Sequence, residues 1–192
     1  MRLAGLAFLA AASCTSSSGG TVSGQMPGGN LDLADTISAS ITTSDGAGGT
    51  LGDARIVMAS TSHLCSDAGA SPPIDRKGQH YVTIALRDVA GAMTTAPTVP
   101  GSYTIYPDTG SQPAKSASLL TGALDGSCQI DDATAAMAQS GTVTLTSTTG
   151  GAFVGTFDVV LNTGGHITGS FDPEPCPQLQ TAVTTTATHS CM

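Results

Sequence analysis

Five cysteines are the residues of this chain whose spacing bears most directly on chemistry. They are Cys14, Cys65, Cys128, Cys176 and Cys191. No pair has the Cys-x-x-Cys spacing of a redox site, and the intervals of 63, 48 and 15 residues between the last four fit no compact zinc motif. We therefore predict that these last four form two structural disulfides in an oxidising compartment, with three pairings open.

The histidines and acidic residues show no spacing that predicts a metal site. The histidines are His63, His80, His166 and His189. None has a second histidine or an acidic residue at ligand spacing, so we interpret all four as solvated surface residues. Asp53, Asp125 and the pair Asp131-Asp132 carry oxygens that suit calcium. A calcium loop, however, needs alternating acidic residues and a distal glutamate, and Glu174 is the only glutamate. The sequence predicts no metal and no cofactor.

No pattern of nucleophile and base is present either. A Gly-x-Ser-x-Gly elbow is missing, since Ser102 is followed by Tyr103. Carboxylates for glycoside hydrolysis would have to come from residues such as Asp88, Asp158 and Asp172. Asp158 and Asp172 fall on the predicted solvent face of their strands, where a solubilising role is the default. We therefore assign no catalytic residue.

The first residues have the features of a secretory signal peptide. A positive start, Met1-Arg2, is followed by an apolar run from Leu3 to Ala12 that ends in small residues. The segment Ala11-Ala12-Ser13-Cys14 resembles a bacterial lipobox, with alanine where leucine is usual. We predict a lipoprotein signal peptide over 1–13 and lipidation of Cys14. Ordinary cleavage, which gives a secreted protein, is the alternative.

The mature chain is predicted to be one domain on a tether. Residues 14–30 are rich in serine and glycine and lack apolar periodicity, which is typical of a flexible tether. Residues 31–192 form the predicted β domain, of which 179–192 could be a last strand or a loose tail held by Cys191. Thr15 rather than aspartate after the lipidated cysteine favours the outer membrane, by resemblance to enterobacterial sorting.

Composition favours strands and excludes some partners. The chain has 28 Thr, 21 Ser and 24 Gly, which suits threonine-rich strands joined by glycine turns. Six Lys/Arg against 14 Asp/Glu give a net charge of −8, so a cationic surface for nucleic acid is not predicted. No apolar run approaches the ~18 residues of a membrane span.

Alternation of apolar and polar residues, and in places a short apolar run, predicts about eight strands spaced by turn signals. They cover about 35–43, 55–59, 81–86, 101–106, 114–124, 141–146, 153–161 and 166–171. The last three, joined by glycine-containing turns, predict an antiparallel meander whose phenylalanines face the core. One helix is predicted at 131–138 and a single helical turn at 62–68. The fold class is all-β, an antiparallel sandwich or barrel of about eight strands with a C-terminal meander.

Several segments together resemble small predicted lipoproteins that are numerous in myxobacterial genomes. These segments are Pro100-Gly101-Ser102-Tyr103-Thr104-Ile105, Ser140-Gly141-Thr142-Val143-Thr144-Leu145, Gly155-Thr156-Phe157-Asp158-Val159 and Thr168-Gly169-Ser170-Phe171-Asp172, with Cys176 soon after. The resemblance covers the whole mature domain, but this chain adds about 15 residues after Cys176, ending at Cys191. It implies an envelope location and a β fold, and it transfers no active site.

These observations predict a bacterial envelope lipoprotein without enzymatic activity, a binding or structural module at the membrane surface. Its predicted partners are the membrane, through the lipid anchor, and an envelope protein or glycan. The alternative is a secreted or anchored hydrolase that acts on envelope or prey polymers. A third possibility is an assembly role in which an exposed edge strand pairs with a neighbour.

Overall fold

The structure, a computed structural model, describes residues 19–44, 49–184 and 188–192. The predicted signal peptide and the predicted lipidation site at Cys14 lie outside these residues. Within them the chain forms thirteen strands and two short α-helices, so the prediction of an all-β fold is confirmed. No helix among the described residues combines the length and the apolar character needed to cross a membrane.

Each of the eight strands predicted from the sequence is present. The strands are β1 (Gly19–Gly24), β2 (Asp35–Ser44), β3 (Thr50–Ala59), β4 (Ile74–Asp75), β5 (His80–Ala90), β6 (Met93–Thr95), β7 (Gly101–Ile105), β8 (Lys115–Ala123), β9 (Ala136–Ser147), β10 (Val154–Leu161), β11 (His166–Asp172), β12 (Glu174–Pro175) and β13 (Ser190–Cys191). The helices are α1 (Leu64–Ala68) and α2 (Gln178–Thr184). The five strands beyond the predicted eight are β1, with six residues, and β4, β6, β12 and β13, with two or three each.

Eleven strands form one large sheet that curls into a half-barrel. Their order is β1-β11-β10-β9-β7-β8-β5-β6-β3-β2-β12, and β4 pairs with β13 in a separate small sheet. The three-residue β6 covers only one end of its neighbours, so β5 also pairs directly with β3, and β8 pairs with β9. The predicted count of about eight strands and the purely antiparallel arrangement are both wrong. Parallel pairs join β2 to β12, β3 to β6 and β7 to β8. Alternation along a strand shows which face is buried but not the direction of its neighbour, so it could not reveal this mixture.

The larger hydrophobic core, which we call the principal core, lies on one face of the sheet. The C-terminal meander of β9, β10 and β11 is antiparallel, and it supplies the phenylalanines of this core. Phe157 lies opposite Gly169, and Phe171 lies opposite Gly155. Each ring lies against the glycine of the neighbouring strand, where a side chain would collide with it. Both rings are buried, which confirms that the phenylalanine stripe is core.

A second, smaller core lies on the opposite face of the sheet, which we call the outer face. Ile37, Ile41 and Tyr81 pack there against Leu64 of α1 and Leu179 of α2. The Cys65–Cys176 disulfide joins α1 to the segment just before α2, and the Cys128–Cys191 disulfide holds the C-terminal strand. The structure therefore contains two disulfides and selects one of the three possible pairings.

Residues 19–24 correct the predicted flexible tether over 14–30. They form β1, which pairs along its whole length with β11, and Met26 beyond it packs against the principal core. A Gly-Gly-Thr-Val-Ser-Gly sequence lacks apolar periodicity, and its conformation is fixed by the neighbouring strand rather than by its own composition.

Two other local predictions are corrected. The helix predicted over 131–138 is a turn followed by β9, because the Asp131 carboxylate accepts a hydrogen bond from the backbone of Ala133 at 3.0 Å and the chain then joins the sheet. Of the segment 179–192, the described residues 179–184 belong to α2 and residues 188–192 include β13, so these parts are docked rather than a loose tail. In α2, the Gln180 side chain accepts a hydrogen bond from the Thr42 N–H at 2.6 Å and donates one to the Thr42 carbonyl at 3.0 Å. It thereby pairs with the edge of β2 beyond Ile37 and Ser38, the two residues that β12 covers.

Candidate functional site: a cleft with an arginine floor

Helices α1 and α2 cover only part of the outer face, and a cleft opens beside them. Ala54 and Leu86 point into the principal core. Because side chains alternate along a strand, Asp53, Arg55 and Arg87 point the other way, into this cleft. Its volume is about 520 Å³, inside the range of about 300–1,000 Å³ that is typical of small-molecule sites. We call it the outer-face cleft.

One buried carboxylate organises the floor of the outer-face cleft. Asp53 is only 8% exposed. Its two oxygens accept hydrogen bonds from Nε and Nη2 of Arg55, at 3.3 and 3.0 Å. A carboxylate this buried is stable as an ion only when it is paired, and the paired contact with Arg55 supplies that partner. Asp53 is therefore explained as the group that fixes Arg55, not as the calcium ligand considered from the sequence.

Arg87 is the least satisfied cation of the floor. Its Nη2 lies 3.5 Å from Oδ2 of Asp53, and the Arg87 side chain makes no hydrogen bond within the described part of the chain. Its side chain is 28% exposed. A guanidinium carries five N–H donors in a planar fork that matches two oxygens of a carboxylate or phosphate. Arg87 thus presents unused donors to the cleft.

Arg76 shows a guanidinium in the same fold that is held by two hydrogen bonds to one carboxylate. It donates to both oxygens of Asp67, at 2.6 and 2.8 Å, and this pairing holds the loop after α1. Hydrogen bonding to Asp67 raises the pKa of Arg76. The contrast with Arg87 separates a structural ion pair from a cation that has room for a ligand.

The rim of the outer-face cleft carries groups of mixed polarity. Asp108 and Gln112 lie on the loop between β7 and β8, and Thr94 of β6 accepts a hydrogen bond from the Gly52 N–H at 3.1 Å. Asp108 is exposed, whereas Asp53 is buried on the floor. The negative charge at the rim is therefore hydrated, and the positive charge of Arg87 lies deeper, where electrostatic interactions are less screened.

The exposure and the partners of the histidines differ in part from what the sequence predicted. His63 and His166 are exposed as expected, but His80 and His189 are only half exposed. Two of them also have acidic partners that sequence spacing did not reveal, because the pairs form across strands. The His166 ring lies 2.6 Å from Asp158 in the meander, and His189 lies 3.0 Å from Asp75 near the small sheet. Neither pair lines the outer-face cleft.

Asp125 and Asp131, which were also singled out in the sequence, have structural partners. The Asp125 carboxylate accepts hydrogen bonds from the backbone of Gln129 and from Ser127, and these bonds lower the pKa of Asp125. Asp131 caps the turn before β9. Among the described residues, no group of three or more His, Cys, Asp or Glu side chains is arranged to hold a metal ion.

A cluster of Asp88, Tyr103 and Lys115 lies where β7 joins the sheet. The Tyr103 hydroxyl donates to Asp88 at 3.1 Å, and Lys115 donates to both partners, at 2.9 and 3.1 Å. Burial raises the pKa of Tyr103, and the hydrogen bond to Asp88 raises that of Lys115. At neutral pH the phenol is therefore protonated and the amine charged, so neither is a nucleophile or a base. The cluster closes the core over Tyr103.

Sequence reasoning missed Arg87 and did not connect it with Arg55, because the two lie 32 positions apart and meet only through the pairing of β3 with β5. One signal was available: arginines are rare in this chain, and both fall at positions of strands that should face away from the core. Comparison of the chain with protein-family models, curated proteins and solved structures finds no match. The resemblance to small predicted lipoproteins stays a prediction.

Proposed function

We propose that this protein is an envelope lipoprotein without enzymatic activity whose outer-face cleft binds an anionic group, a carboxylate or a phosphate, of a small molecule or envelope glycan. The observation that carries the proposal is Arg87, a half-buried guanidinium with unused donors at the floor of a cleft of about 520 Å³. Paired N–H···O bonds from arginine to an oxyanion are among the stronger polar contacts in proteins.

Binding is favoured over hydrolysis by what surrounds Arg87. A hydrolase needs a nucleophile or water beside a general base. The lining of the outer-face cleft has Asp53 already bonded to Arg55, and Asp108 exposed at the rim. The two His–Asp pairs lie elsewhere. The cleft is thus equipped to hold an anion by charge and hydrogen bonding.

The envelope location rests on separate support. Two disulfides are typical of proteins in oxidising compartments. If Cys14 carries the lipid, five residues, 14–18, precede β1, and they reach at most about 17 Å at full extension. This is shorter than the tether predicted from composition, so the β1 edge of the domain would lie close to the membrane.

The intact mass of the protein extracted from its native membrane fraction tests the anchor. We expect the mass of the chain that begins at Cys14 plus the acyl groups of a bacterial lipoprotein, with two hydrogens gained per disulfide on reduction. The same protein with Cys14→Ser should appear in the soluble fraction. A native protein that begins at Ser13 and carries no acyl group would exclude the anchor and favour secretion.

Titration calorimetry with inorganic phosphate and with acetate tests the cleft. We expect Arg87→Gln to weaken binding of both anions about 10- to 100-fold, since a hydrogen bond to a charged group contributes about 1.5–3 kcal/mol. Arg87→Lys should retain part of the affinity, because it keeps the charge but loses the planar fork.

Lys77→Gln is the matched control, since it removes the same charge from an exposed position outside the cleft. Its affinity should stay within about twofold of the unmodified protein, as expected for a screened surface charge. Equal losses in Arg87→Gln and Lys77→Gln would show that only net charge matters, and the proposed site would be wrong.

A further inference from the structure

The outer-face cleft also gathers exposed apolar side chains. Among the described residues, eight large apolar side chains are exposed, and three of them line this one cleft: Leu51, Met137 and Val183, at 37%, 48% and 42% exposure. They come from β3, β9 and α2, so no single local sequence explains their proximity. Isolated exposed apolar residues are ordinary, but a group that converges on a concave surface marks a binding site.

The apolar side chains adjoin the arginine floor. Ile41, 3% exposed, forms part of the same wall beside Val183. A smaller recess of about 210 Å³ continues from the cleft between Met137 and Leu120, and it shares Arg55 and Arg87 with it. A ligand that placed an oxyanion on Arg87 would therefore have apolar surface within reach on either side of its head group.

We propose that the ligand of the outer-face cleft is an amphiphilic anion, a single alkyl chain that carries a carboxylate. The carboxylate accepts hydrogen bonds from Arg87, and the chain covers Met137 and Val183 and removes them from water. This inference rests on the proposed function, because it uses the same Arg87 contact, and it adds the class of ligand. A purely polar sugar acid would leave Leu51, Met137 and Val183 exposed to water, so it would not use the whole site.

The test is the dependence of affinity on chain length. Acetate, butyrate, hexanoate and octanoate are titrated separately, each below its critical micelle concentration. A buried methylene contributes enough transfer free energy to tighten binding by about threefold to fourfold. We expect the affinity to rise on the order of 50-fold or more from butyrate to octanoate. The affinity for every member of the series should weaken in Arg87→Gln.

Two double variants make the test specific to the rim. Met137→Gln/Val183→Thr introduces polar atoms at two of these exposed apolar positions with little change of side-chain size. It should reduce the increase in affinity for each added methylene of the ligand. Met192→Gln/Val160→Thr makes the same two changes at residues 55% and 39% exposed that do not line the outer-face cleft. This control should keep the full dependence on chain length.

Each outcome decides a different claim. If acetate and phosphate bind through Arg87 but affinity does not increase with chain length, the amphiphile inference is wrong and the anion site stands. If no anion binds, both are wrong. A chain-length dependence that Met137→Gln/Val183→Thr leaves intact would place the alkyl chain elsewhere. Binding to vesicles of anionic phospholipid but not to monomeric octanoate would replace the inference with a membrane-surface role.

Discussion

Replacement of Gly169 by alanine is expected to lower the free energy of unfolding by about 3 kcal/mol, near the upper end of overpacking effects. A Cβ at position 169 would overlap the Thr21 carbonyl oxygen on one side and the Phe157 ring on the other. The first atom belongs to the backbone of β1 and the second to a ring that is 3% exposed. Neither can move without opening the pairing of β1 with β11 or disturbing the principal core.

Urea unfolding followed by circular dichroism measures this effect. Gly126→Ala is the matched control, because Gly126 lies on the exposed β8–β9 loop with no atom within 4 Å of an added Cβ and no left-handed backbone angle. Its stability should stay within about 1 kcal/mol of the unmodified protein, with any gain coming from the unfolded chain. A Gly169→Ala protein as stable as Gly126→Ala would contradict the placement of β1 against β11.

Removal of the Cys65–Cys176 disulfide should cost about 4–5 kcal/mol, the largest stability effect that we expect. The bond joins residues 111 apart in sequence, and the loop-closure entropy that it removes from the unfolded chain corresponds to this magnitude. Cys176 is fully buried in the second core. In Cys65→Ala/Cys176→Ala, α1 and α2 lose the covalent link that holds them over the outer face.

The same unfolding experiment checks this prediction, with loss of helical signal before the strands as a second readout. Cys128→Ala/Cys191→Ala is the comparison variant. It opens a loop of 63 residues, whose closure entropy is similar, but it leaves α1 and α2 linked. We expect the helical signal to be lost before the strand signal in Cys65→Ala/Cys176→Ala, and not in Cys128→Ala/Cys191→Ala. A loss of stability below about 1 kcal/mol in that variant would show that the bond does not close this loop in the native protein.

The eight predicted strands were recognisable because each contains an apolar run or an alternation of apolar and polar residues between turn signals. In β10, Phe157, Val159 and Leu161 are buried and the residues between them are exposed, which is the pattern that alternation detects. β1 has no such pattern, since its six residues are glycine, threonine, valine and serine at a sheet edge. The direction and order of strands depend on pairing across the sheet, and this information is not local in sequence.

The disulfide partners and the outer-face cleft show the same limit. Cysteine counting restricted the four cysteines to three pairings, and only the meeting of α1 with the segment before α2 chooses Cys65–Cys176. Helix propensity at 131–138 was overridden because Ala136 and Ala138 are needed in the core as β9 residues. In the sequence, Arg55 and Arg87 are single charges on two separate strands. They form the floor of the cleft because β3 pairs with β5, and this pairing is not visible in the sequence.

The most direct test of the anion site observes the guanidinium groups themselves. ¹H–¹⁵N spectra of the arginine Nε–H groups are recorded while inorganic phosphate is added at constant ionic strength. The expected result is a saturable shift of the Arg87 signal, while the signal of Arg76, whose Nε–H donates to Asp67, stays in place. A stationary Arg87 signal, or a shift that grows without saturation and equally at both arginines, would contradict the proposal that the outer-face cleft binds an anion.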